Sequence, residues 1–319
     1  MGATIKGMAN YIPKKVVTNN DLSKYLQTSD EWISSRTVIK RRHVVTHEST
    51  ADLAYLAAKR LMFKYEIDKN KIDLIIVATM TPDFLAPSIA SIIQGRLDCK
   101  NAGAFDLNSA CSGFVYALSS AYSYLDSGQV KNVLLVCAES MSQVIDWRDR
   151  STAVLFGDGA SAIYLEKSES VPMHFRLKSD GSQCFSLTAG KQKPNSVFWQ
   201  ADDSGTQFLN MQGRDIFNFV SNTVPQEVTR VCTDAGISLQ DIDHFLFHQA
   251  NSRLIEKVSK KLGIRAVPLN IQEYGNTSSA SIPLLLCELI DSQKIKRGDT
   301  ILACGFGAGL AMGTIIFEY

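Results

Sequence analysis

The stretch Asp106–Leu118 carries the residue type best suited to covalent chemistry. A strand-like run ends here and an apolar helical pattern begins, with Cys111 at the junction among small neighbours that leave room for a ligand. The backbone dipole at a helix N-terminus favours the thiolate, which is the nucleophilic form of cysteine. We therefore predict that Cys111 is an ionised nucleophile. Taken alone, the cysteine could also be a buried structural residue.

Two polar residues far downstream could complete such a site. His248 follows a buried-strand pattern, and Asn276 lies in the loop Tyr274–Ser281. Alone, His248 could be a satisfied structural residue and Asn276 a turn residue. Together, an imidazole N–H and a side-chain amide supply two neutral donors for an enolate or a tetrahedral oxyanion. The set favours carbon–carbon bond formation through a thioester enolate over papain-type proteolysis, in which the histidine acts as a base.

The composition indicates a soluble globular enzyme. The chain has 319 residues, 45% of them hydrophobic, which predicts a large core in two domains. Its formal net charge of +1 argues against nucleic acid as the main partner. Its seven cysteines are scattered without a Cys-x-x-Cys pair, and the first residues lack the apolar core of a signal peptide. We expect a cytoplasmic location, no membrane span and no metal site.

Strand-length apolar runs alternate with helical patterns, which predicts an α/β layered fold. The pattern also occurs twice in the same order, which indicates a duplication. The paired segments are Ile72–Val77 with Ile242–Phe247, Val133–Val136 with Ile301–Ala303, and Phe156–Gly159 with Phe306–Gly309. We predict two similar halves, 1–168 and 169–319, the first carrying Cys111 and the second His248 and Asn276, with residues 180–210 as an inserted loop or hairpin region. Since ligands collect at strand ends where such halves meet, the three side chains should share one volume.

Six motifs carry a resemblance to a known family. Ala110–Phe114, His248–Asn251 and Gly275–Ser281 resemble the signatures of β-ketoacyl-acyl-carrier-protein synthase III, the initiating condensing enzyme of bacterial fatty acid synthesis. Thr28–Thr37, Asp149–Thr152 and Phe156–Ala160 match the family as well. The resemblance runs in order from about residue 5 to the end. It implies a thiolase-like duplicated fold with five αβαβα layers, a homodimer, no cofactor, and acyl-CoA and malonyl-acyl-carrier protein as substrates.

The resemblance also implies a ping-pong reaction. An acyl-CoA primer acylates Cys111, and malonyl-acyl-carrier protein then loses CO2. The enolate, held by His248 and Asn276, attacks the acyl-Cys111 thioester. The backbone amides of Cys111 and Ala308 would form the oxyanion hole.

Further roles follow from the same resemblance. CoA would bind at Trp32, Arg36, Arg150, Gly213, Phe217, Ala250 and Asn251. The acidic carrier protein would dock on Gln249, Ala250, Asn251, Ser252, Arg253, Lys257, Lys260 and Lys261. The primer pocket would include Phe84, Leu85, Ala86 and Phe156. Trp32 could instead be a surface anchor, Arg36 a helix-end cation, and the basic cluster a solvated helix face.

Several positions depart from the family pattern. Ala308 stands where a glycine is usual; if the backbone there needs a positive φ, acylation should be slowed or redirected, and Ala308→Gly should raise turnover with a short acyl-CoA. Val38 also replaces a glycine, which puts the shape of the CoA-entry loop in question. Ala311-Met312 replaces Thr-Trp near the site. Ala86 is smaller than the usual residue, which predicts a pocket that accepts branched or longer primers.

Three rival hypotheses remain at this stage. A related condensing enzyme of secondary metabolism would load an unusual acyl primer. A degradative thiolase would need a second catalytic cysteine, but Cys304 has the setting of a core residue. A catalytically weak acyl-CoA-binding paralogue is argued against by the intact set of Cys111, His248 and Asn276.

Overall fold

The structure is a computed structural model that describes residues 2–169, 172–191, 196, 198, 206–265 and 267–319. Part of the predicted insertion at 180–210 therefore lies outside the described residues. The described part of that segment contains a two-stranded antiparallel pair, β9 and β10, bounded below.

The strands follow the predicted alternation with helices. In chain order they are β1 (Gly2–Tyr11), β2 (Lys15–Thr18), β3 (Arg41–Val44), β4 (Leu74–Ala78), β5 (Gly103–Leu107), β6 (Asn132–Ser140), β7 (Asp158–Ser168), β8 (His174–Ser179), β9 (Leu187–Thr188), β10 (Asn210–Met211), β11 (His244–Phe247), β12 (Thr300–Gly307) and β13 (Ala311–Glu318).

The α-helices begin largely at side-chain caps, such as Ser49 with Asp52 at the start of α3. They are α1 (Asn19–Leu22), α2 (Asp30–Thr37), α3 (Thr50–Lys64), α4 (Ile89–Leu97), α5 (Gly113–Asp126), α6 (Arg150–Ala153), α7 (Gly213–Ala235), α8 (Ser252–Leu262), α9 (Ile271–Tyr274) and α10 (Ser281–Asp291). Among the described residues, no helix combines the length and the apolar character needed to cross a membrane.

Two sheets share one topology over four strands, and β5 extends the first sheet beyond it. The first has the order β1-β7-β6-β4-β5 and the second β8-β13-β12-β11. In the first sheet, β4 and β6 are parallel, and β7 is antiparallel to β6. In the second sheet, β11 and β12 are parallel, and β13 is antiparallel to β12. The predicted boundary near residue 168 falls between β7 and β8. That the halves are separate domains stays a prediction.

The helices form three layers around these sheets. Helices α5 and α10 lie between the two sheets and share one apolar core with both. Helices α3 and α4 cover the outer face of the first sheet, and α7 and α8 cover the outer face of the second. The predicted five-layer αβαβα fold is therefore confirmed. The central helices are apolar on most sides because a sheet packs against each face.

Two short 3-10 turns lead into the central helices. Ala110–Ser112 precedes α5, and Ser278–Ala280 precedes α10. Each turn begins with a residue of positive φ, Ala110 at 43° and Ser278 at 49°. The start of α5 lies against the turn before α10. A Cβ added to Gly113 would lie only 3.0 Å from Cβ of Ser279. The sharp entry into each central helix places its first residues at the junction of the halves.

Candidate active site

A cavity of about 460 Å³ opens at the strand ends where the two halves meet. Cys111, His248 and Asn276 all line it, so the three side chains share one volume as predicted from their order in the chain. Most of the other wall is apolar, including Met80, Met141, Leu155, Leu187, Leu209 and Met211. The cavity thus combines an apolar wall with one thiol and two possible hydrogen-bond donors.

Cys111 lies in the turn that begins α5, with its Sγ 3.6 Å from Oγ of Ser278. Burial raises the pKa of its thiol to about 12, and the nearby carboxylate of Glu139 acts in the same direction. A helix N-terminus contributes at most about 2 kcal/mol in the opposite sense, whereas a pKa moved from 9 to about 12 corresponds to roughly 4 kcal/mol. Burial therefore opposes ionisation of Cys111 more strongly than the helix terminus favours it, and the thiolate stays a prediction.

His248 directly follows β11 and is 1% exposed. Its backbone N–H donates to the carbonyl oxygen of Cys304 at 2.9 Å, and its ring stands edge-on to Phe306 at 5.4 Å between centroids. Its Nδ1 lies 2.6 Å from Oγ of Ser281. Burial lowers the pKa of the imidazole to about 3, so the ring is neutral near pH 7.

Asn276 is held by the backbone of the first half. Its N–H donates to the carbonyl of Leu155 at 2.8 Å, and its carbonyl accepts from the N–H of Gly157 at 3.1 Å. Its side-chain oxygen accepts the N–H of Ser278 at 2.9 Å. This orientation leaves the amide nitrogen as the group that can donate to a ligand.

A buried carboxylate supports this loop, and sequence reasoning missed it. Glu139 lies at the end of β6, is 0% exposed, and accepts from Oγ of Ser279 at 2.6 Å, Oγ1 of Thr81 at 3.0 Å and the N–H of Met80 at 3.1 Å. Burial raises its pKa, while these donors favour the ionised form. A charged residue at the end of an apolar run of strand length was the signal available in the sequence. The contact joins a strand of the first half to the turn before α10.

The glycines around residue 308 explain why Ala308 is tolerated. Ala308 lines the cavity and does not adopt a positive φ, whereas Gly309 does, at 130°. The hypothesis that alanine strains this backbone is therefore wrong, and with it the expected gain from Ala308→Gly. The demanding position is Gly307, where an added Cβ would lie 2.7 Å from Cβ of Cys111.

The predicted CoA residues occupy the cavity and its surroundings. Arg36, Gly213, Phe217, Ala250 and Asn251 line the cavity, and Asn251 also caps α8. Trp32 and Arg150 are outside the lining. The guanidinium carbons of Arg36 and Arg150 lie 4.4 and 4.5 Å from the Trp32 ring centroid, so an Arg–Trp–Arg cluster adjoins the cavity through Arg36.

The predicted docking residues divide into buried and exposed groups. Gln249 and Ser252 are buried, with exposed fractions of 0% and 2%. The side chain of Gln249 forms hydrogen bonds with the backbone of Phe247 and Asn270. Their assignment to an exposed docking surface is wrong. Ala250 and Asn251 are half-buried in the cavity wall.

The basic residues of α8 are exposed, and three of them make contacts that fix their direction. Arg253 donates to the carbonyl of Ser35 at 2.7 Å, and Nζ of Lys257 lies 4.5 Å from the ring centroid of Phe217. Lys261 bonds α7, while Lys260 is exposed on the same helix. The cluster therefore extends from the cavity mouth along α8.

The four predicted primer-pocket residues are separated in this chain. Phe156 lines the cavity. Phe84 and Leu85 are 59% and 84% exposed, Ala86 is exposed as well, and none of the three lines the cavity. Within one chain, this loop is therefore not part of the cavity wall.

The rival hypothesis of a degradative thiolase lacks support in the geometry. No group of three or more His, Cys, Asp or Glu side chains within the described ranges is arranged to hold a metal ion. Cys304 is 0% exposed, and burial raises the pKa of its thiol. It lies in the core of the second sheet, which argues against a thiolase that uses it as a second catalytic cysteine.

Comparison with known proteins identifies the family. Two family models match the chain, 3-oxoacyl-[acyl-carrier-protein] synthase III at residues 105–181 and its C-terminal domain at residues 232–319. β-Ketoacyl-[acyl-carrier-protein] synthase III of Streptococcus suis is 45% identical over 99% of this chain and 98% of that protein. The chain belongs to the β-ketoacyl-acyl-carrier-protein synthase III family. It is accordingly an acyl-transferring condensing enzyme.

Solved structures agree with this family in fold. The synthase III of Aquifex aeolicus has 41% identity and a TM-score of 0.92, with 100% of each chain covered. A priming β-ketosynthase of the R1128 polyketide pathway has a TM-score of 0.93 but 33% identity, over 99% of this chain and 96% of that one. The higher identity to the synthases III of Streptococcus suis and Aquifex aeolicus favours initiation of fatty acid synthesis over the alternative role in secondary metabolism.

Proposed function

We propose that this protein condenses an acyl-CoA primer with malonyl-acyl-carrier protein through an acyl-Cys111 intermediate. The observation that supports this most directly is the single cavity that brings Cys111 together with His248 and Asn276. A thiol and two neutral donors are the groups that thioester exchange and enolate stabilisation need, and the reaction requires no cofactor.

In the first step, the sulfur of Cys111 attacks the thioester carbonyl of the acyl-CoA. The new bond joins Cys111 Sγ to the acyl carbon, the bond from that carbon to the CoA sulfur breaks, and the thiol proton ends on CoA. The backbone N–H groups of Cys111 and Ala308, which border the cavity, are the proposed donors to the transient oxyanion.

In the second step, malonyl-acyl-carrier protein loses CO2. The electron pair of the broken carbon–carbon bond moves onto the thioester as an enolate, whose oxygen receives hydrogen bonds from the neutral imidazole of His248 and the side-chain amide of Asn276. The enolate carbon then attacks acyl-Cys111, and the sulfur leaves as a thiolate. The apolar wall strengthens both hydrogen bonds because it excludes water.

The substrates' larger groups are assigned to the surroundings of the cavity. The Arg–Trp–Arg cluster would bind the adenine and phosphates of CoA, since an arginine pair beside an aromatic ring suits a flat base and an anion. The pantetheine arm would pass Gly213, Phe217, Ala250 and Asn251. The acidic carrier protein would dock on Arg253, Lys257, Lys260 and Lys261, where opposite charges steer association.

We further propose a cytoplasmic homodimer. β5 lies at the edge of the first sheet, and such an edge can pair with a second copy. The exposed Phe84 and Leu85 form an apolar loop that a second subunit would cover. With Ala86 in this loop, we expect the pocket to accept branched or longer primers. Comparing acetyl-, isobutyryl- and hexanoyl-CoA as acylating agents tests this, and a strict acetyl preference would refute it.

The test of the reaction separates its two steps. Wild-type protein incubated with acetyl-CoA should gain one acetyl group on Cys111 by mass spectrometry and release CO2 from malonyl-acyl-carrier protein. Cys111→Ala should lose acylation. His248→Ala and Asn276→Ala should keep acylation and lose condensation by roughly 100-fold or more, as expected for removal of an oxyanion donor. A wild-type Cys111 that stays unacylated with acetyl-, isobutyryl- and hexanoyl-CoA alike would exclude the proposed reaction.

A further inference from the structure

The first residue of α10, Ser281, contacts the ring nitrogen of His248 that faces away from the cavity chemistry. Ser281 is 2% exposed. Its Oγ lies 2.6 Å from Nδ1 of His248 and 3.3 Å from the backbone nitrogen of Gln249. The oxygen thus lies between one group that can only donate, the Gln249 N–H, and one that can either donate or accept.

The position of the hydroxyl proton follows from this pair of contacts. The Gln249 N–H uses an acceptor site on Ser281 Oγ. Among the hydrogen bonds of the described residues, His248 Nδ1 is the acceptor that remains for the Ser281 O–H. A buried hydroxyl hydrogen that lacks an acceptor is unfavourable. The two contacts therefore favour an O–H that donates to Nδ1 and a neutral imidazole with its proton on Nε2.

The opposite arrangement has a cost that this one avoids. If Nδ1–H donated to Ser281, the buried hydroxyl hydrogen would lose its acceptor, and unmet buried donors are unfavourable. The backbone bond of His248 to Cys304 and the edge-on contact with Phe306 also hold the ring in place. With Nδ1 bound to Ser281, Nε2 is the ring nitrogen left for a ligand in the cavity.

We propose that Ser281 is a positioning residue that holds His248 as an Nε2–H donor. In this role His248 donates to the enolate oxygen and does not accept the proton of Cys111. The assignment rests on the proposed function, since it specifies how one donor of that site is fixed. It predicts that Ser281 matters for decarboxylation and much less for acylation, although both steps occur in one cavity.

A direct test uses the wild-type protein labelled with 15N in its five histidines. Proton–nitrogen correlation spectra distinguish a bare Nδ1 from a protonated one. We expect the His248 signal, assigned by its loss in His248→Ala, to show a bare Nδ1 and a protonated Nε2. A protonated Nδ1 in the wild type would overturn the proposal, and this measurement needs no catalytic activity.

The kinetic test uses Ser281→Ala. Single-turnover acylation of Cys111 by acetyl-CoA should stay within about threefold of the wild type, while CO2 release from malonyl-acyl-carrier protein should fall by roughly 10- to 100-fold, a partial loss of one oxyanion donor. Ser281→Thr keeps the hydroxyl and should therefore retain most of the wild-type CO2 release. Ser221→Ala removes an equally buried serine hydroxyl from α7 and should leave both rates near the wild type.

The outcomes distinguish this proposal from the reaction on which it rests. Equal losses of acylation and CO2 release in Ser281→Ala, or no loss of CO2 release in a folded variant, would overturn the role of Ser281. A wild type that neither acylates Cys111 nor releases CO2 would overturn the reaction instead, whereas the 15N spectrum would still decide the tautomer. Thermal unfolding of each variant identifies any that fail to fold.

Discussion

At the residue scale, the cavity gives a ligand access to Cys111 but does not favour ionisation of its thiol. Cys111 is reachable through the cavity, yet burial raises the pKa of its thiol to about 12. His248 has the opposite shift, to about 3, for the same reason, since burial disfavours the charged form of either group. Both side chains are therefore neutral near pH 7 before substrate binds.

This predicts how acylation depends on pH. Because the thiolate is the reactive form, kcat/KM for acylation by acetyl-CoA should rise about tenfold for each pH unit from about pH 6 to about pH 8. Mass spectrometry of quenched reactions measures it. The sign follows from the raised pKa of Cys111, since the thiolate fraction increases with pH throughout this range. A plateau near pH 7 would show that the helix terminus outweighs burial after all.

The sequence identified Cys111, His248 and Asn276 but not the residues that orient them. The three have reactive side chains in recognisable motifs, so their types alone indicate chemistry. Ser281 and Glu139 act only through contacts made after folding, across 33 residues to His248 in the first case and 140 to Ser279 in the second. Gln249 and Ser252 were misassigned for a related reason, because position within a motif does not reveal burial.

At the element scale, the turns before the central helices and the end of α2 depend on positive φ. Val38 ends α2 with φ 60° and ψ 0°, a left-handed conformation that a β-branched side chain rarely adopts. The departure from the family's glycine at this position is therefore a point of backbone strain. Helix α2 carries Trp32 and Arg36. The last hydrogen bond of this helix is formed, since the Val38 N–H donates to the carbonyl oxygen of Ser34.

Val38→Gly should therefore stabilise the protein. Relief of the left-handed strain, about 1–2 kcal/mol, exceeds the conformational entropy that glycine adds to the unfolded chain, about 0.4–1 kcal/mol. We expect the free energy of unfolding to rise by about 0.5–1 kcal/mol in chemical denaturation. Gln293→Gly is the matched control, since Gln293 has φ 58° but is not β-branched, and should gain less. A loss of stability in Val38→Gly would contradict this account.

Strands and helices could be predicted well where the spacing of the hydrophobic residues and the length of the segment indicated the same element type. The strands before His248 and after Cys111's helix follow that pattern. The backbone near Ala308 could not be predicted, because the positive φ lies one residue later, at Gly309, and the sequence alone does not say which residue of Gly307-Ala308-Gly309 needs it.

At the scale of the whole molecule, the duplication was the strongest prediction. Its segments recur in the same order, and the two sheets repeat one strand topology. What the sequence does not give is the layer in which α5 and α10 meet, because apolar helices of this length could lie in any buried layer. In the structure they share a core with both sheets, so the halves fold around a common interior.

Self-association is the prediction at this scale. If the loop at Phe84 is covered by a second copy, Phe84→Asp should shift the protein toward monomer in light scattering after gel filtration and slow acylation of Cys111, because a buried charge disfavours the interface. Phe63→Asp is the control, since Phe63 is 87% exposed on α3, outside this loop. The same mass for Phe84→Asp as for the wild type would count against this interface.

The buried carboxylate of Glu139 connects the active site to the interface between the two halves. Its strand belongs to the first sheet, while its shortest bond, 2.6 Å to Ser279, holds the turn that follows Asn276. A motion that takes the turn before α10 away from the first sheet must break this bond. We expect the enzyme to lose activity on warming when this contact breaks.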